Sequence, residues 1–182
     1  KLANGIKNAN SLAVVQLHHA GMRSPTDLIG QSPVCPSEHA GTGAVALSIK
    51  AVEQLIEDFI CAAERAEKAG FEGVEIHGAH GYILAQFLSA TVNQRQDQFG
   101  GSIENRMRPI TEIIDGIRTR CRKNFLLGLR LSPERFDVHL PDIIEVAHSV
   151  LSDGKIDFLD MSLWDSFKEP EVFITVLIPN NL

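Results

Sequence analysis

The sequence predicts an α/β fold on a parallel sheet, an arc of a TIM (β/α)8 barrel with about four βα units. Three observations carry that prediction. Four short apolar segments rich in β-formers alternate with longer segments whose apolar residues recur at helical spacing. This is the pattern of strands buried on both faces and joined by helical crossovers. Polar, ligand-capable residues stand at the end of each of the four strands, where parallel α/β folds bind their ligands. Neither a GxGxxG nor a Walker A stretch occurs, which turns the reading from Rossmann and P-loop domains toward a barrel.

The elements follow in order. Leu12 to Leu17 is mostly apolar and reads as the first buried strand. Residues 20 to 47 hold Gly21, Pro25, Gly30, Pro33, Pro36, Gly41 and Gly43, and are expected to form a long loop of the kind that often carries function. Ser48 caps a helix whose apolar face is Val52, Leu55, Ile56, Phe59, Ile60 and Ala63. Lys68 sits in its last turn and Gly70 stops it. Gly73 to Ile76 is the second strand and Tyr82 to Leu88 a short helix. After a polar loop from Ser89 to Gly101, Ser102 caps a helix running to Arg120, with Ile110, Ile113, Ile114 and Ile117 buried. Leu126 to Leu131 is the third strand. Pro133 opens a loop that lasts to His139, and Pro141 suits the first turn of the next helix. Ile156 to Met161 is the fourth strand.

The 182 residues are read as a single domain with a real core. A full barrel needs roughly 250 residues and eight strands. Four strands leave two raw sheet edges. The expectation is therefore a piece of a longer protein, further strands, or another copy covering the edges, with a homo-oligomer as one outcome. A net charge of −6 argues against nucleic acid or an anionic membrane as the main partner. No apolar run reaches the roughly 18 residues of a membrane helix. The first residues lack the apolar core of a signal peptide. Cys35, Cys61 and Cys121 fit neither a disulfide framework nor a CxxC metal site. A cytoplasmic protein with reduced thiols is expected.

The richest stretch is Val74-Glu75-Ile76-His77-Gly78-Ala79-His80-Gly81-Tyr82. It sets two imidazoles and a phenol at one strand-to-helix junction. Two N–H groups aimed at one oxygen stabilise charge developing on it. The same pair could ligate a metal with Glu75, His18 or His19 as third ligand, as in a metal-dependent hydrolase, or simply hydrogen-bond within the loop. Tyr82, the only Tyr, is either a general acid or half-buried packing. Arg130 lies inside an apolar strand and needs an anionic or carbonyl-rich partner. A functional partner is favoured there over a structural ion pair. Gln16 holds the corresponding place on the first strand. Ser132 follows the third strand, and Ser162, Trp164 and Asp165 follow the fourth. The loop from Asn93 to Arg106 is dense in charge, and Arg95, Asp97, Glu104 and Arg106 are read as knitting it to the next helix.

Taken together, Gln16-Leu17-His18-His19-Ala20-Gly21, the stretch Gly70 to Tyr82, Gln86-Phe87-Leu88-Ser89, the Asn93 to Arg106 loop and Arg130-Leu131-Ser132-Pro133 resemble the Old Yellow Enzyme family of FMN-dependent NAD(P)H oxidoreductases, or ene-reductases. The resemblance runs from about Leu12 to Trp164 and implies a TIM barrel with FMN at its carboxyl mouth. It implies that His77 and His80 bind the oxygen of an electron-poor alkene or similar small-molecule acceptor, and that Tyr82 gives the proton. Gln16 and Arg130 match side chains that bind the flavin ring. NADH or NADPH would be the reductant, and no metal is implied. The family usually has Arg directly after the Gly at position 21. Here Met22 intervenes, and a shifted loop would bring Arg23 near the substrate. The family's early strands, and the late ones carrying its phosphate-binding residues, are not found within these residues. Nor does the stretch after Lys168 continue the pattern. A fragment without a complete flavin site is the third reading beside the flavoenzyme and the hydrolase.

Overall fold

The computed structural model of the protein describes residues 1–163 together with Asp165 and Phe167. Trp164 and the stretch after Lys168, both singled out in the sequence, lie outside the described residues. The chain runs α1 (Leu2–Asn8), β1 (Val14–Leu17), α2 (Thr26–Ile29), β2 (Val34–Cys35), β3 (Val45–Ala46), α3 (Ile49–Lys68), β4 (Gly73–Gly78), α4 (Ile83–Leu88), α5 (Ile103–Arg120), β5 (Leu126–Leu131), α6 (Leu140–Ser152) and β6 (Phe158–Met161). β1, β4, β5 and β6 form one sheet in that order, parallel throughout, as chain order and helical crossovers require. It is the expected arc of a barrel.

The helix signals act as anticipated. The Ser48 hydroxyl accepts from the Ala51 N–H at 3.1 Å and caps α3. Gly70, at φ +90°, turns the chain after it. Ser102 caps α5 and Pro141 lies in the first turn of α6. The apolar faces of α3, α4, α5 and α6 join Val74, Ile76, Leu127, Leu129 and Leu131 in one core. Burying each such side chain contributes roughly 1.5–3 kcal/mol.

Strand periodicity then decides what the other face of the sheet shows. Val74 and Ile76 point into the helical layer, so Glu75 and His77 lie on the concave face. The register aligns these into rungs. One rung is Gln16, Glu75, Gly128 and Phe158, and the next holds His77, Arg130 and Asp160. Gly128 is needed because a Cβ there would run into the Phe158 ring. Layers of inward side chains are how a barrel interior is filled.

Four sequence expectations need correction. β1 starts at Val14, since Leu12 is exposed ahead of it. β6 starts at Phe158, where its pairing with Gly128 begins. β4 continues to Gly78, so His77 lies within the strand and the two imidazoles do not share a helix start. Tyr82 is the N-cap of α4 instead of its first helical residue. The 20–47 loop is also more ordered than its Gly and Pro content suggested, because it holds a 3-10 turn at Gly21–Arg23, the short α2 and the small parallel pair β2–β3.

Candidate active site

Six side chains named from the sequence, Gln16, His18, His77, His80, Tyr82 and Arg130, line one cavity of about 340 Å³ at the carboxyl ends of the strands. Register explains why. His77 and Arg130 are cross-strand partners on the concave face, and β1 delivers Gln16 and His18 by the same two-residue alternation. The rings form a compact set. His77 stands 5.0 Å from His80, 5.3 Å from Tyr82 and 5.1 Å from His18, and His18 meets Tyr82 edge-on at 4.2 Å. His19 does not line this cavity; it lines a neighbouring groove with Leu55, Asp58 and Phe59, which Gln16 and His18 also border.

His77 is 6 % exposed, and its Nδ1 accepts the Ala79 N–H at 3.2 Å. That bond places the ring proton on Nε2, a donor available to a ligand oxygen. Burial, and then the neighbouring His18 and His80, hold its pKa down at about 4. Burial also lowers His18, and burial and the Arg130 and Arg23 charges lower His80. The cluster is thus a set of neutral imidazoles at neutral pH, hydrogen-bond donors without a formal charge.

His80 sits in the connection after β4 at φ +57°, a left-handed conformation that costs a non-glycine residue roughly 1 kcal/mol or more. Other elements hold it there. The Ser132 hydroxyl accepts its N–H at 3.0 Å, Arg23 donates to its carbonyl at 2.5 Å, and its Nε2 meets the Ser162 hydroxyl at 2.6 Å. Gly81 follows at φ +68°, and a Cβ there would press on Phe136, whose ring packs on His80 at 5.9 Å. Arg23 does not line the main cavity. It lies over Tyr82 at 5.0 Å and lines an adjoining cavity of about 260 Å³ with Met22, Gly81, Phe136 and Asp137.

Arg130 departs from the expectation of a purely functional partner. Its Nε approaches Asp160 at 3.3 Å, so a structural ion pair exists. Yet that Nε is buried and makes no hydrogen bond among the described residues. A buried charged donor in that state keeps an unused hydrogen-bonding direction. Gln16 donates its amide N–H to Glu75 at 2.5 Å, which leaves its carbonyl as an acceptor. A donor guanidinium and an acceptor amide on one wall, beside apolar strands, fit the donor and acceptor edge of a planar heterocycle such as a flavin. Asp160 and Phe136 were missed in the sequence. Asp160 was legible as the register partner of Arg130, whereas Phe136 lies in a loop with no periodic signal. The metal alternative loses its ligands, since Glu75 is engaged by Gln16 and no group of three or more His, Cys, Asp or Glu side chains among the described residues could hold a metal ion.

Comparison with known proteins gives the family. The model of the NADH:flavin oxidoreductase / NADH oxidase family matches residues 1–170. The chain is 40% identical over 175 residues to the probable NADH-dependent flavin oxidoreductase YqiG of Bacillus subtilis, covering 91% of this chain and 47% of YqiG. It is 38% identical over 143 residues to 12-oxophytodienoate reductase 1 of Oryza sativa subsp. japonica, covering 72% and 37%. Among solved structures, the old yellow enzyme homologue from Zymomonas mobilis superposes with a TM-score of 0.82 at 30% identity, over 93% of this chain and 54% of that one. The chain spans about half the length of YqiG and of the Zymomonas protein. With the family model matching nearly the whole sequence, this chain belongs to the NADH:flavin oxidoreductase / NADH oxidase family.

Proposed function

We propose that residues 1–182 act as one barrel unit carrying the site of an FMN-dependent oxidoreductase, which moves hydride from NADH or NADPH to an electron-poor alkene or related small acceptor. The observation that carries this reading is the shared cavity. Its volume of about 340 Å³ falls in the range of small-ligand sites, and its lining offers a buried guanidinium N–H without a hydrogen-bond partner among the described residues, together with paired imidazoles and a phenol. FMN, when bound, supplies the hydride chemistry.

The side chains supply the rest. Arg130 and Gln16 hold the cofactor's polar edge. His77 donates from Nε2 to the acceptor oxygen, and His80 is the second group at that oxygen, so that negative charge developing there is stabilised. Tyr82, between His18 and His77, gives its phenolic proton to the substrate carbon. Arg23 closes the outer side of the phenol. Among the described residues no helix is long and apolar enough to cross a membrane. A cytoplasmic location, and self-association through the β1 and β6 edges, are part of the proposal.

The test uses His77→Ala combined with His80→Ala. Acceptor KM should rise by about tenfold or more, because each lost donor is worth roughly 0.5–1.5 kcal/mol, while reduction of bound flavin by the nicotinamide continues. Unchanged acceptor binding would refute the oxygen-binding role.

A further inference from the structure

We infer that Glu75 is a positioning residue: its carboxylate holds the Gln16 side chain by the N–H end of the amide, so that the carbonyl end is left to the cavity as an acceptor for a ligand N–H. This rests on the reading of Gln16 as a group at the flavin edge. Glu75 itself does not line the cavity and acts through Gln16.

The sheet sets both residues. Gln16 and Glu75 are register partners on β1 and β4, and strand alternation puts both on the concave face. The Gln16 Nε2 donates to a Glu75 carboxylate oxygen at 2.5 Å. Glu75 starts from a fixed backbone, because it is paired with Gln16 on one side and Gly128 on the other. It is half-buried, whereas Gln16 is exposed and lines the cavity. Among the described residues no cation pairs with Glu75, since Arg130, one rung further along, pairs with Asp160.

The chemistry of the pair sets the direction. A carboxamide has a donor end and an acceptor end of nearly equal size, and an exposed glutamine can turn either one outward. An ionised carboxylate accepts and does not donate, so it takes the nitrogen end alone. The nitrogen is then engaged by Glu75, while among the described residues nothing donates to the Gln16 carbonyl oxygen. Arg130, which lines the same cavity, offers donors only. A donor-only group and a fixed acceptor together read a heterocycle edge that carries both a carbonyl oxygen and a ring N–H. Without Glu75 the amide turns, and either end meets the ligand.

The first measurement needs neither flavin nor turnover. The Gln16 side-chain NH2 signals, assigned by their loss in Q16L, are followed by nitrogen relaxation in the native protein, E75L and E75Q. The native amide should be rigid. Its order parameter should fall below about 0.6 in E75L, and below the native value in E75Q, where a neutral amide gives as well as takes a hydrogen bond. E75Q, close to Glu in shape, decides the matter if E75L does not fold. Native order parameters in the variants would overturn the proposal. FMN is then titrated into the native protein, E75L, Q16L and the double variant. E75L and Q16L should each weaken binding about three- to tenfold, one hydrogen bond's worth. The double variant should bind no more weakly than Q16L alone, because Glu75 works only through Gln16. Native FMN affinity in E75L, or a further loss when E75L is added to Q16L, would overturn the positioning role. No FMN binding by the native protein, with an amide that is rigid only when Glu75 is present, would overturn the flavin reading, while the hold of Glu75 on Gln16 would stand.

Discussion

Two polar regions of this molecule both carry arginine and amide side chains and end differently. In the 93–106 loop every guanidinium direction is used. Arg95 donates to Asp97 through two nitrogens and to the Pro36 and Leu47 carbonyls, at 2.5–3.0 Å. Arg106 donates to the Leu88 and Gly101 carbonyls and pairs with Asp142 at 2.9 Å. Asn93 ties the Phe87 and Phe99 carbonyls together. At the strand ends, by contrast, Arg130 keeps a buried Nε with no hydrogen bond among the described residues, and His77 carries a ring N–H beside an open cavity. Charge density does not separate the two regions, but completeness of hydrogen bonding does. On the proposed function, the closed network is scaffold and the open one receives the ligand.

Arg106→Leu is the largest expected perturbation. It strands two carbonyls and Asp142, so unfolding free energy should fall by about 3–5 kcal/mol in urea titration. The cavity residues are untouched, so flavin affinity of the folded fraction should stay native. A loss below about 1 kcal/mol would mean that the loop network is not scaffold.

Acid should come next, and it strikes the other region. The folded-state pKa of His77 is about 4, below the ordinary 6.5 of the unfolded chain. Between those values the unfolded state binds the extra proton, so stability falls as pH drops from 6.5 toward 4 and levels off beneath. The His77 share is at most about 3 kcal/mol, and His18, His19 and His80 add in the same direction. His77→Gln should flatten the pH dependence of the denaturation midpoint. An unchanged slope would place the imidazole in ordinary solvent.

Tyr82→Phe removes one oxygen from the open region and nothing from the closed one. Alkene reduction should slow by about 10²-fold, with thermal stability and flavin reduction by NADH near native. Undiminished alkene reduction would assign the proton to another group.

Much of this was legible in the sequence, for physical reasons that differ by element. The buried strands announce themselves because both faces are apolar, and the polar interruptions, Gln16, His77 and Arg130, mark the concave face for the same reason. The structural role of Arg95 and Arg106 was read correctly, since charges flanking a helix start find carbonyls nearby. What the sequence obscured was tertiary. The β2–β3 pair is two residues long on each side and stands on register with a partner eleven residues away, which no periodicity reports. Arg135, Phe136 and Asp137 all take positive φ, which side chains of these types do not advertise. The place of Arg23 beside Tyr82 follows from Gly21, whose φ of +59° lets the chain turn tightly against Gln86.

The most direct test is a titration of FMN into the purified intact protein and its Arg130→Leu variant, followed by flavin fluorescence. Native protein should bind near one FMN per chain. The variant should fold with stability within about 1 kcal/mol of native, because its partner Asp160 stays partly exposed, and should bind FMN about ten- to a hundredfold more weakly, one charged hydrogen bond's worth. No FMN binding by the native protein, or equal binding by both, would contradict the assignment of the open cluster to a flavin.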